Sequence, residues 1–84
     1  MHYLYILKSE RDGKLYIGYT ANLRKRLRQH QAGQVLATAP RRPLRLLYYE
    51  AYLAEEDARN REHFFKTGWG RNYIKKYLAK TLLA

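Results

Sequence analysis

The sequence has no cysteine, which excludes disulfides and any thiolate metal site. Nor does it have an apolar run near the roughly 20 residues that span a bilayer. Met1 leads almost directly into aromatic sequence, without the charged stretch and small-residue cleavage site of a secretory leader. The expectation is a cytoplasmic protein with no membrane partner. Acidic residues are scarce: seven Asp and Glu face 17 Lys and Arg, a formal net charge of +10. So large a positive field implies a polyanionic partner, most simply nucleic acid. Trp and Phe are few, one and two, whereas there are nine tyrosines. Most of those tyrosines read as strand formers on half-buried faces. With 84 residues, one domain over 1–84 with a modest core is expected.

The pattern predicts the order β-β-α-β-α-α. Residues 3–9 are rich in aromatic and branched side chains, which suits a strand buried on both faces. Asp12-Gly13 signals a tight hairpin, and residues 15–19 return as the second strand. Thr20 or Asn22 can cap the helix that follows, and Gly33 can stop it. Leu23, Arg26, Leu27 and His30 fall on one face of that helix. Residues 34–43 read as a loop and 44–53 as a third strand. The next helix, from Ala54 to about Lys66, carries Glu55, Glu56 and Asp57 near its positive end. Gly68-Trp69-Gly70 should break the chain before a last helix over 71–83, with Ile74, Tyr77, Leu78, Thr81 and Leu82 as its apolar stripe. The fold class is α+β, a small three-stranded, mostly antiparallel sheet packed with helices.

Glu62 reads as the lone internal carboxylate, because it shares a helix face with Ala58 and Phe65. A carboxylate on an apolar face needs a metal or a cationic partner. The alternative to a metal is an ion pair with Arg26, Arg59 or another basic neighbour. Arg26 offers the planar fork that matches a phosphate edge, or it could itself pair with Glu62. His30 lies one turn after Arg26 and could act as a base or relay near neutral pH, or as a structural hydrogen bonder. Tyr5 and Tyr16 could contact phosphate or water, although a phenol is a poor base at its ordinary pKa of about 10. Arg24, Lys25, Arg28, Arg41, Arg42, Arg71, Lys75 and Lys76 are candidate backbone contacts to nucleic acid, as is Lys80. No zinc-type ligand cluster is visible, and no helix-turn-helix or finger module is present to read sequence.

Taken together, Tyr3-Leu4-Tyr5, Tyr16-Ile17-Gly18, Asn22-Leu23 with Arg26, and Arg61-Glu62-His63 resemble the motifs of the GIY-YIG nuclease family. The likeness extends over residues 3–66, nearest to the small stand-alone bacterial members, which are similar to the N-terminal domain of the excision-repair incision subunit UvrC. The first motif keeps only its tyrosine, Tyr5, whereas the second is intact. The resemblance implies an endonuclease that hydrolyses DNA phosphodiesters with one Mg²⁺ or Mn²⁺ and has a role in DNA repair. Glu62 would hold the ion, Arg26 would grip the scissile phosphate, and Tyr5 and Tyr16 would flank the attacking water. Some members place a histidine where His30 stands, and some carry a late asparagine, for which Asn72 is the only candidate after Glu62. Many members have lysine after the second-motif glycine, where this chain has Tyr19. Low sequence specificity is implied, with selectivity left to a partner protein or to dimerisation. The competing reading is a DNA- or RNA-binding module that kept the fold without useful turnover.

Overall fold

A computed structural model describes all of residues 1–84. Strands β1 (His2–Ser9), β2 (Leu15–Thr20) and β3 (Leu44–Tyr52) form one antiparallel sheet in the order β2-β1-β3. Helix α1 (Leu23–Gln31) follows β2, and α2 (Glu55–Phe65), α3 (Gly68–Tyr77) and α4 (Ala79–Leu83) follow β3. The α+β class and the order of elements are those expected. No helix is long and apolar enough to cross a membrane.

β1 is the middle strand, and Leu4, Tyr5, Ile6 and Leu7 are all buried. Because strand side chains alternate, the two faces of β1 build two cores. Leu4 and Ile6 pack with Phe65 of α2 and Ile74 of α3. Tyr5 and Leu7 pack on the opposite face with Leu44, Leu23 and Leu27. Burial of each such large apolar side chain stabilises the fold by about 1.5–3 kcal/mol. Helices α1 and α2 therefore lie on opposite faces of the sheet.

Local chemistry explains the joints. Asn22 is the cap of α1, its side chain accepting from the Lys25 backbone N–H at 3.1 Å. Thr20 in turn accepts from the Asn22 N–H. Gly33, just past α1, has φ +77°, a conformation open to glycine at little cost. The segment after it contains a short 3-10 turn, Ala39–Arg41, rather than loop alone.

Three expectations need correction. The first hairpin is not tight, since five residues, 10–14, separate β1 from β2, and the Ser9 hydroxyl accepts from the Arg11 and Asp12 N–H groups. Gly68-Trp69-Gly70 does not break the chain but forms the first turn of α3. Thr67 caps that turn by accepting from the Gly70 N–H. Gly70 is required because a Cβ there would collide with Phe64 O and Phe65 Cα at the end of α2. Finally, the last helix divides at Leu78 (φ −116°, ψ 24°), and Tyr77 turns outward, 62% exposed, instead of joining the apolar stripe.

Candidate functional site

β2 is an edge strand, with α1 on one face of the sheet and α2 on the other. A cleft of about 430 Å³ wraps around that edge. Tyr16, Gly18 and Tyr19 line it from β2, Arg26 from α1, and Arg59 and Glu62 from α2. The structure thus brings three of the five candidate catalytic residues, Tyr16, Arg26 and Glu62, to one open surface.

Tyr5 and His30 lie behind that surface and do not line it. Both are essentially inaccessible. The Tyr5 hydroxyl is 2.8 Å from His30 Nε2, and His30 Nδ1 is 2.7 Å from the Thr38 hydroxyl. Thr38 donates to Val35 O at 3.5 Å, which leaves its lone pair to accept Nδ1–H. The Tyr5 and Thr38 hydroxyls together partner both ring nitrogens of His30. Burial lowers the His30 pKa, helped by the charge of Arg26. Burial also pushes the Tyr5 phenol up to about 12, although the Arg26 guanidinium pulls the other way. Both groups are therefore neutral near pH 7. Tyr16 stacks edge-on against His30, centroids 5.2 Å apart, so the buried pair backs the half-buried tyrosine.

Gly18 pairs with Tyr5 across the β1–β2 ladder, and the Tyr5 ring lies over it. A Cβ at Gly18 would overlap the Tyr5 ring. The second-motif glycine is thus the seat of the first-motif tyrosine.

Arg26 is half-buried in the cleft wall. Its guanidinium touches Gln29 Oε1 at 3.4 Å, while its Nε is buried with no partner. An unpaired buried donor is costly, and Arg26 is nonetheless one of the residues that line the cleft. Glu62 keeps its side chain 19% exposed and pairs with Lys66 at 2.9 Å. The ion-pair alternative for Glu62 is therefore realised with Lys66, not with Arg26 or Arg59. No group of three or more His, Cys, Asp or Glu side chains is placed to hold a metal ion.

Glu62 is not the lone internal carboxylate. Glu50 of β3 is equally enclosed, 17% exposed at its side chain. It accepts from Tyr48, Tyr52 and Arg61 at 2.5, 2.6 and 2.9 Å. Burial works against the Glu50 carboxylate, but hydrogen bonds from Arg61 and the two tyrosines outweigh it and hold the carboxyl below its ordinary value. The alternating strand pattern places Tyr48, Glu50 and Tyr52 on one face, which is the signal sequence reasoning could have used.

Sequence reasoning offered Arg59 only as an ion-pair partner for Glu62. Its guanidinium sits 4.1 Å above the Tyr19 ring, and Glu55 holds it from one turn away at 2.8 Å. Tyr19 is itself fixed by His2 at 2.7 Å. Tyr19 thus carries a cation on its ring.

The basic candidates divide. Arg24, Lys25, Arg28, Arg71, Lys75, Lys76 and Lys80 are exposed. Arg41 is tied to Asp12 at 3.1 Å and to Leu15 O. Arg42 donates to Ala39 O and Gln31 O. Those two arginines hold the 3-10 turn in place.

The model of the GIY-YIG catalytic domain matches residues 1–80. The chain is 42% identical over 78 residues to a UPF0213 protein of Bacillus pumilus, covering 92% of this chain and 78% of that one. It is 43% identical over 67 residues to the UPF0213 protein in the ldhD 5' region of Pediococcus acidilactici, covering 76% and 67%. The solution NMR structure of the UPF0213 protein BH0048 from Bacillus halodurans superposes with a TM-score of 0.54 at 32% identity, covering 87% of this chain and 80% of that one. The chain belongs to the GIY-YIG family, which is a family of nucleases.

Proposed function

We propose that this chain is a divalent-metal-dependent endonuclease that hydrolyses DNA phosphodiesters with low sequence specificity, acting as one domain over 1–84. The observation that carries the proposal is Arg26. Arg26 lines a cleft that also holds Glu62 and Tyr16. A phosphate edge there would match the guanidinium fork.

In hydrolysis a water oxygen attacks phosphorus and gives up a proton, the P–O bond to one sugar breaks, and the departing oxygen gains a proton. Tyr16 is the candidate tyrosine that reaches the cleft, so it orients the attacking water. Tyr5 and His30 hold Tyr16 and Gly18 in place from behind. Arg59 brings a second cation to the phosphate, in the region where Tyr19 replaces the family lysine.

The donors fit one Mg²⁺ or Mn²⁺ at Glu62. A single hard carboxylate opens on a polar cleft, and such ions keep several waters and share substrate phosphate oxygens. When bound, the ion would offset negative charge building on the phosphate. The half-exposed Lys66 ammonium would give up its contact with Glu62.

The second reading, a DNA- or RNA-binding module without turnover, is favoured by the Glu62–Lys66 ion pair, which stands where the ion would bind. Incubation with supercoiled plasmid and branched DNA in Mn²⁺, Mg²⁺ and EDTA separates the two. Nicking in either metal and none in EDTA supports the nuclease. Salt-dependent binding without cutting in any condition supports the module.

A further inference from the structure

Helix α3 carries two faces of rings and apolar groups: one is buried in the core, and on the other Tyr73 packs against Phe64 and Phe65 beneath Arg61 while Trp69 and Tyr77 stand exposed. Gly70 and Ile74 are buried against the core. Trp69, Tyr73 and Tyr77 repeat every four residues along a different face, as a helical period requires. Trp69 is 79% exposed and Tyr77 62% exposed. The Tyr73 and Tyr77 rings are 4.8 Å apart, and Tyr73 stands edge-on against Phe64 at 6.0 Å. The result is a groove of about 390 Å³ lined by Phe64, Trp69, Asn72, Tyr73, Lys76 and Tyr77.

Three features choose among the possible occupants. The groove contains rings, an amide and an ammonium but no aliphatic side chain, which suits flat π systems better than acyl chains. No acidic residue follows Glu62, whereas Lys66, Arg71, Lys75, Lys76 and Lys80 do, so the surroundings favour a polyanion and oppose a second copy of this basic chain. Rings exposed beside cations are how proteins stack successive bases of a single strand, and base faces within a duplex are already stacked on one another.

We propose that this face of α3 is a stacking platform for unpaired bases of a DNA strand. The proposal deepens the nuclease reading and rests on its DNA substrate. Asn72 is placed to bond a base edge and Lys76 to meet a phosphate. The whole molecule measures 28 × 27 × 19 Å, which bounds the separation of platform and cleft. The substrate class that follows is DNA with a single-stranded segment near the point of cleavage.

Trp69 is the only tryptophan and therefore its own reporter. Its emission would be followed while a poly-dT oligonucleotide or a duplex of equal length is added in EDTA. Labelled-DNA anisotropy would compare wild type with Trp69→Ala, Trp69→Phe and Tyr77→Ala. The proposal expects saturable quenching by the single strand. It expects single-strand affinity about tenfold weaker in Trp69→Ala and largely retained in Trp69→Phe. Duplex affinity should change less than about twofold, because phosphate contacts dominate it. Equal weakening on both DNAs, or no change in emission, would overturn it. So would Trp69-dependent self-association, or Trp69-dependent binding to anionic phospholipid vesicles in place of DNA. Binding in EDTA needs no cleavage, so a failed platform leaves the cleft reading standing, and an inactive cleft leaves the platform measurable.

Discussion

The Tyr5 hydroxyl and His30 Nε2 share a hydrogen bond of 2.8 Å, joining the middle strand to α1 through the buried core. His30 passes the connection to Thr38, eight residues on. Replacing His30 with Ala removes a buried ring and takes a hydrogen-bond partner from two hydroxyls. Unfolding in urea should show a loss of about 3–5 kcal/mol. Tyr5→Phe removes one hydroxyl and should lose about 1–3 kcal/mol.

The same histidine sets a pH dependence. Its folded pKa is below the ordinary 6.5 because burial, then Arg26, disfavours its charge. The unfolded chain therefore binds a proton that the native state refuses as pH falls through about 6.5. Stability is fully present above that pH and declines below it. Glu50, also depressed, from 4.5, adds a further loss below about 4.5 as its hydrogen-bonded carboxylate is protonated. Thermal melts from pH 8 to 4 should show both declines, and His30→Asn should lack the first.

Gly18→Ala should be harmful despite its small size. The new methyl would displace the Tyr5 ring that lies over the glycine. Overpacking of this kind costs about 1–3 kcal/mol, and the shift would move Tyr16 through their shared contact with His30. Chemical denaturation and a cleavage assay should therefore fall together.

Arg26 and Arg59 should differ in rate rather than stability. Loss of a preorganised donor aimed at a transition state reduces kcat by about 10²–10³, and Arg26→Ala is expected in that range. Arg59 is more exposed and held by Glu55, so Arg59→Ala should lower the rate by about tenfold. Tyr19→Lys in the Arg59→Ala background should restore part of it. Equal melting temperatures would confirm that the differences lie in the cleft.

The elements were legible because their signals are local. Asn22 caps a helix by reaching three residues ahead, and Gly33 ends it where a left-handed residue is needed. Gly68 and Gly70 misled because glycine marks both a chain break and a close helix contact, and only the position of Phe64 and Phe65 separates the two. In the candidate site, helical spacing put Arg26 and His30 on one face of α1. It could not show that His30 is sealed behind Tyr16 while Arg26 reaches the cleft. Glu50 and Arg61 meet from different elements at 2.9 Å. Arg59 finds Tyr19 across 40 positions, beyond what spacing along one helix reveals.

The most direct test measures cutting and binding on the same samples. Wild type and Glu62→Gln would each be mixed in excess with labelled branched DNA in Mn²⁺, and single-turnover cleavage would be recorded beside anisotropy. The account predicts that Glu62→Gln abolishes cleavage while its DNA affinity stays within about twofold of wild type, because basic side chains and not the carboxylate hold the backbone. Cleavage at an undiminished rate in Glu62→Gln would contradict the assignment of this cleft as the site of hydrolysis.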